Sequence, residues 1–140
     1  MSSGPLETSS LHQIGEVAEA TGLSIRTIRH YDEMGIVPPS GHTSGGFRLY
    51  TDSDIERLEF VKQMKPLNFT LDEMGELLHA LERARDSHQI GRDDRLIEQL
   101  LAYAEDAEGR CAALARQLRN GEALAKELRE RANAIVQREH

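Results

Sequence analysis

The chain has 140 residues, with 17 Lys and Arg against 24 Asp and Glu, a formal net charge of −7, and a single Cys. That length suits one compact domain plus an appendage and leaves no room for a second domain of catalytic size. One Cys excludes an internal disulfide framework and fits a reducing compartment; with no apolar run of membrane-spanning length and a polar opening, MSSGPLETSS, a cytoplasmic protein is expected.

Residues 1–12 read as a disordered N-terminal arm. Ile14, Val17 and Ala18 then fall at helical spacing until Thr21-Gly22 interrupts them, and Ser24 supplies the hydroxyl of a new helix N-cap. In this second helix Ile25, Ile28 and Met34 are expected to face inward. Arg26, Arg29, His30 and Glu33 recur at i, i+3, i+4 and i+7 and share the opposite face. A short helix, a tight turn and a second helix with a basic outer stripe make a helix-turn-helix, whose second helix enters the DNA major groove. Pro38 and Pro39 stop the helix, and turn residues from Ser40 to Gly46 lead into the strand-like Phe47-Arg48-Leu49-Tyr50, which reads as a β-hairpin wing.

Past the wing, Ile55, Leu58, Val61 and Met64 mark a third helix, with Asp52 and Asp54 near its N-terminus. Pro66 ends it and Asn68 suits a left-handed turn. Thr70 and Glu73 form a capping box for a fourth helix along Leu71, Met74, Leu77, Leu78 and Leu81. Residues 13–84 are thus taken as one domain and 85–92 as a linker. From there a heptad seam runs through Leu96, Leu100, Tyr103, Ala107, Cys111, Leu114 and Leu118, with one stutter-like extra four-residue step between Ala107 and Cys111. A dimerisation helix is expected over 93–120. A break at Asn120-Gly121 is favoured, because an interior Gly costs about 1 kcal/mol. A second helix, Glu122 to Gln137, would follow it within a 121–140 extension; one continuous helix is the alternative. A seam this narrow requires a partner, most simply a second copy of the chain.

IGEVAEATGLSIRTIRHYDEMGIVPP, the wing GGFRLY and the following helix pair resemble the DNA-binding domain of the MerR family of bacterial transcriptional regulators, over roughly residues 13–82. The resemblance implies a mainly α fold: a winged helix-turn-helix DNA-binding domain with a small β-hairpin wing, followed by a long antiparallel coiled-coil dimerisation helix. It implies a homodimer that binds a pseudo-palindromic promoter site and distorts the double-stranded DNA to control initiation by RNA polymerase. DNA contacts are expected from Ser24, Arg26, Thr27, Arg29, His30 and Tyr31 on the helix-turn-helix, from Phe47 and Arg48 on the wing, and from Lys65 on a second wing formed by the later helix pair. Tyr31 reads either as a phosphate-binding hydroxyl or as a packed core ring. Pro66 and Asn68 stand where the family commonly has a small residue and Gly.

Net charge opposes a nucleic-acid role, and from Met1 to Tyr50 three basic residues face five acidic ones. Yet those three are Arg26, Arg29 and Arg48, all at expected DNA-facing positions, with Lys62 and Lys65 further on. The acidic surplus predicts weak non-specific binding. No metal or cofactor is expected, since no Cys follows Cys111 and the six His are scattered. Cys111 reads as a small hydrophobe on the seam, with a redox or inter-subunit thiol as the alternative. No nucleophile-base grouping or phosphate-cradling loop suggests an enzyme. Two further alternatives are a coiled-coil protein-interaction module and an architectural or constitutive DNA-binding protein without an effector.

Overall fold

The computed structural model describes residues 11–86 and 91–139. The chain divides into two units, the first running to Ile97 and the second starting at Glu98. Residues 1–10 of the expected arm and 87–90 of the expected linker lie outside the described residues.

In the first unit a two-residue strand, β1 (His12–Gln13), leads into α1 (Ile14–Thr21). Gly22, at φ 76°, closes α1 by donating its N–H to the Ala18 carbonyl, a left-handed C-cap that favours Gly. Two residues later Ser24 opens α2 (Ile25–Glu33), its hydroxyl accepting from the Thr27 N–H at 3.0 Å. The wing is β2 (Gly41–His42) against β3 (Arg48–Tyr50), and β1 adds to the other edge of β3, giving an antiparallel sheet in the order β1-β3-β2. The registers are His12 opposite Tyr50 and Gly41 opposite Leu49. His12, assigned above to a disordered arm, is therefore a sheet residue. A two-residue strand carries no periodicity, so nothing in the local sequence announces it.

Thr51 and Asp54 form a capping box at the start of α3 (Asp52–Met64). A 3₁₀ turn, Lys65–Leu67, follows, and Asn68 closes it at φ 63° in the expected left-handed conformation. The Thr70–Glu73 capping box forms as read: Thr70 N–H donates to Glu73 Oε1 at 2.8 Å and Glu73 N–H to Thr70 Oγ1 at 3.1 Å. It opens α4 (Leu71–Asp86), whose last turn takes in Arg85 and Asp86 from the expected linker.

The core collects Val17, Ile28, Tyr31, Val37, Tyr50, Leu58, Val61, Met64, Phe69, Met74 and Leu78. Ile25 and Met34 do not join it; they are 39% and 49% exposed. At about 100° per residue, Ile28 and Tyr31 set the centre of the buried stripe, and Ile25 and Met34 each lie about 90° from it, on its two borders. Asp54, 1% exposed, holds several elements together. Its carboxylate accepts from the Thr51 N–H (2.9 Å), the Ser40 hydroxyl (2.6 Å) and Arg57 (2.7 Å). Arg57 also reaches Glu82 and Arg85 reaches Glu56, so ion pairs lace α3 to α4.

A final helix, α5 (Asp94–Arg138), begins within the first unit, where Asp93 caps the Leu96 N–H and pairs with Arg83 at 3.0 Å. The expected break at Asn120-Gly121 does not occur: the helix is continuous through both residues. Good helix formers on either side carry it through, and a Cβ at Gly121 would meet nothing within 4 Å. Leu96, expected on the dimer seam, is 4% exposed and already buried within the chain. Leu100, Tyr103 and Ala107 are half-buried, and the seam beyond them is exposed, with Leu118 62% and Leu128 59% exposed. None of the helices among the described residues is apolar enough over its length to cross a membrane.

Candidate nucleic-acid interface

The interface is built on α2. Its start is fixed by Ser24 and Thr27, which hydrogen-bond to each other through their hydroxyls at 2.8 Å in addition to the cap. Its inner face is pinned by Ile28 and Tyr31. What remains outside is Arg26, Arg29, His30 and Glu33, all exposed. Among the described residues no ion pair engages Arg26 or Arg29. Two uncompensated guanidiniums on one helix face leave bidentate donors free for a guanine edge or a phosphate.

Tyr31 sits differently. Its side chain is 3% exposed, and burial pushes its phenol pKa above the ordinary value. The packed-ring reading describes it better than a presented hydroxyl does, because its position three residues after Ile28 puts it on the buried stripe. His30 beside it is exposed, with ring centroids 5.7 Å apart.

On the wing, Thr43 organises the hairpin tip. Its hydroxyl accepts from the Phe47 N–H, its N–H donates to the Phe47 carbonyl, and its carbonyl accepts from Gly46. This leaves the Phe47 ring 67% exposed. Arg48 is not a free cation: its Nε donates to Asp32 Oδ2 at 2.8 Å, tying β3 to the end of α2. Asp32 raises the Arg48 pKa, chiefly through that hydrogen bond. Sequence reading missed Asp32, since nothing local links residues 16 apart. Tyr50, expected to pack the wing, does so at 0% exposure, and its hydroxyl has no hydrogen-bond partner among the described residues.

The two lysines part company. Lys62, noted above only as a cation further along the chain, donates to the Thr21 carbonyl at 2.6 Å and so caps α1 from α3. Lys65 lies exposed on the 3₁₀ turn before Asn68. Beyond the interface, Cys111 is exposed in the single chain, and no group of three or more His, Cys, Asp or Glu among the described residues is placed to hold a metal ion.

Comparison with known proteins follows these elements. The family described as MerR HTH family regulatory protein matches residues 13–81. The HTH-type transcriptional regulator ZntR of Escherichia coli (strain K12) is 32% identical over 104 residues, which cover 74% of this chain and 71% of that protein. The HTH-type transcriptional activator mta of Bacillus subtilis (strain 168) is 46% identical over 67 residues, 48% of this chain. The chain spans only 26% of mta, and 54% and 60% of two other curated relatives. A crystal structure of a MerR family transcriptional regulator from Bacillus cereus superposes with a TM-score of 0.57 at 29% identity, covering 82% of this chain and 75% of that one. The helix-turn-helix, the wing, α3 and most of α4 fall within residues 13–81, and the chain belongs to the MerR family of regulatory proteins.

Proposed function

We propose that the protein is a cytoplasmic, sequence-specific DNA-binding transcriptional regulator that works by binding rather than catalysis. In this reading a homodimer grips a pseudo-palindromic promoter site and distorts it, changing how RNA polymerase meets the promoter. The observation that carries the reading is the outer face of α2, where Arg26 and Arg29 stand exposed with no ion pair among the described residues, beside a wing that presents Phe47.

The residues divide by role. Arg26, Arg29 and His30 face the major groove and read base edges or phosphates, with Ser24 and Thr27 at the helix N-terminus beside them, where the Thr27 hydroxyl keeps its proton to donate. Phe47 and Arg48 approach the neighbouring backbone, Arg48 held in direction by Asp32 while its terminal nitrogens carry the contact. Lys65 contributes a phosphate contact from the second wing. Tyr31 acts by packing beneath this face. The free energy of these contacts offsets the cost of bending the duplex, which is of order 1–6 kcal/mol for a site of 20–30 base pairs.

Arg29→Ala is expected to weaken binding to a selected site by about 1–3 kcal/mol while leaving the thermal midpoint unchanged. Fluorescence anisotropy on labelled duplex, with circular dichroism as the folding control, makes the comparison. Unchanged affinity in both Arg29→Ala and Arg26→Ala would remove α2 from the interface.

A further inference from the structure

A cleft beside the end of α2 gathers basic groups without a carboxylate. Its volume is about 370 Å³, and its walls are His30 and Tyr31 from α2, Lys65, Asn68 and Phe69 from the 3₁₀ turn and its exit, and the start of α4. None of the lining residues is acidic. Two further clefts, along α3 and α4, both include Glu82, which pairs with Arg57. In a chain with 24 acidic residues against 17 Lys and Arg, a cleft free of carboxylates suits an anion.

Imidazole is the side chain whose charge changes between about pH 5 and 8, and His30 brings one to this cleft. It is exposed, its ring lies 5.7 Å from that of Tyr31 between centroids, and among the described residues no ion pair engages it. The Tyr31 phenol, its pKa raised by burial, stays neutral over that range. The charged groups around His30 are Arg26, Arg29 and Glu33 on the outer face of its own helix and Lys65 on the 3₁₀ turn. At the start of α4, Asp72 and Glu73 are not in the lining, and Glu73 is turned back onto the Thr70 N–H. Three other histidines are placed differently. His12 is engaged by Asp52 and Glu16, His79 lines a cleft that holds Glu82, and His42 lies on the wing strand β2.

We infer that this cleft seats one phosphate of the duplex backbone between Lys65 and His30, and that His30 takes a proton from solvent as the phosphate enters. DNA affinity then falls as pH rises, a dependence that rests on the DNA-binding reading and specifies it. A neutral imidazole offers a phosphate one N–H, whereas the imidazolium offers two and a positive charge. The cleft has no carboxylate to hold that charge in the free chain, so the phosphate supplies the partner that favours the charged ring. Asn68 adds its carboxamide, because its backbone N–H already donates to the Lys65 carbonyl at 2.9 Å.

The test is fluorescence anisotropy of the full chain on a duplex selected from a random library by the wild-type protein, at about pH 6 and about pH 8. Wild-type affinity is expected to fall roughly fivefold per bound copy across that range. The slope of log affinity against log salt is expected to be steeper at the lower pH by roughly 0.9 per copy, as one more cation meets the duplex. His30→Gln keeps a donor and cannot charge, so it should show the weaker affinity and shallower slope at both pH values. His30→Arg, permanently charged, should show the tighter affinity and steeper slope at both. His42→Gln should keep the wild-type pH dependence. A dependence that survives His30→Gln, or that vanishes in His42→Gln, overturns the inference. Circular dichroism at both pH values separates loss of contact from loss of fold. A wild-type chain that selects a duplex and binds it equally at both pH values discards this inference alone; one that selects no duplex at either discards the DNA-binding reading with it.

Discussion

His12 illustrates what a single side chain does at the edge of this fold. Its Nε2 lies 2.8 Å from Asp52 Oδ1, at the start of α3, and its Nδ1 3.6 Å from Glu16 Oε2 on α1. The hydrogen bond to Asp52 is the main cause of a pKa raised above 6.5, partly opposed by burial and helped by Glu16. A group more basic in the folded chain contributes its full stability below the unfolded value. That contribution is lost as pH rises through the raised folded value. Nuclear magnetic resonance titration of the His12 ring is expected to give a midpoint above 6.5 that falls in Asp52→Asn; an unshifted midpoint in the wild-type chain would dismiss the contact. Neither partner was legible as such in the sequence, where Asp52 was read only as an acid near a helix N-terminus. Asp54 repeats the lesson, because Ser40 and Arg57 converge on it only after the chain has folded.

At the scale of elements, α5 is where local signals and the structure diverge most. Asn120-Gly121 is a stop signal in isolation, yet the helix runs through it. Gly121 is not among the residues with positive φ, and the space around its Cα is open. Gly121→Ala is therefore expected to stabilise the protein by about 1 kcal/mol, through helix propensity and a less flexible unfolded chain. Thermal or urea unfolding at fixed protein concentration measures it, and a loss of stability would indicate a left-handed break at this position. Other elements were legible because their signals are short-range: the Ser24 cap, the Thr70–Glu73 capping box and the left-handed Asn68 each depend on residues within one turn. The inner face of α2 was only half legible. Apolar character alone ranked Ile25 and Met34 with Ile28, whereas the arc that neighbouring helices cover is narrower than the arc that is apolar. Strand β1 and the Arg48–Asp32 tie required the tertiary fold.

For the whole molecule the leading question is how a chain of net charge −7 would serve the proposed DNA-binding role. Many of its cations are committed internally: Arg48 to Asp32, Arg57 to Asp54 and Glu82, Lys62 to the end of α1. Arg26 and Arg29 have no such ion pair among the described residues, so the outer face of α2 keeps two cations open to DNA despite the acidic surplus. Such a protein should depend on matched contacts at a specific site and gain little from non-specific attraction. A dimer built on α5 would present two α2 helices to a two-fold-related site. The most direct measurement is selection of bound duplexes from a random DNA library by the purified protein, at several salt concentrations. Enrichment of an inverted repeat, lost in the Arg26→Ala Arg29→Ala double variant, is the predicted result. Absence of any enriched sequence, even at low salt, would contradict the account.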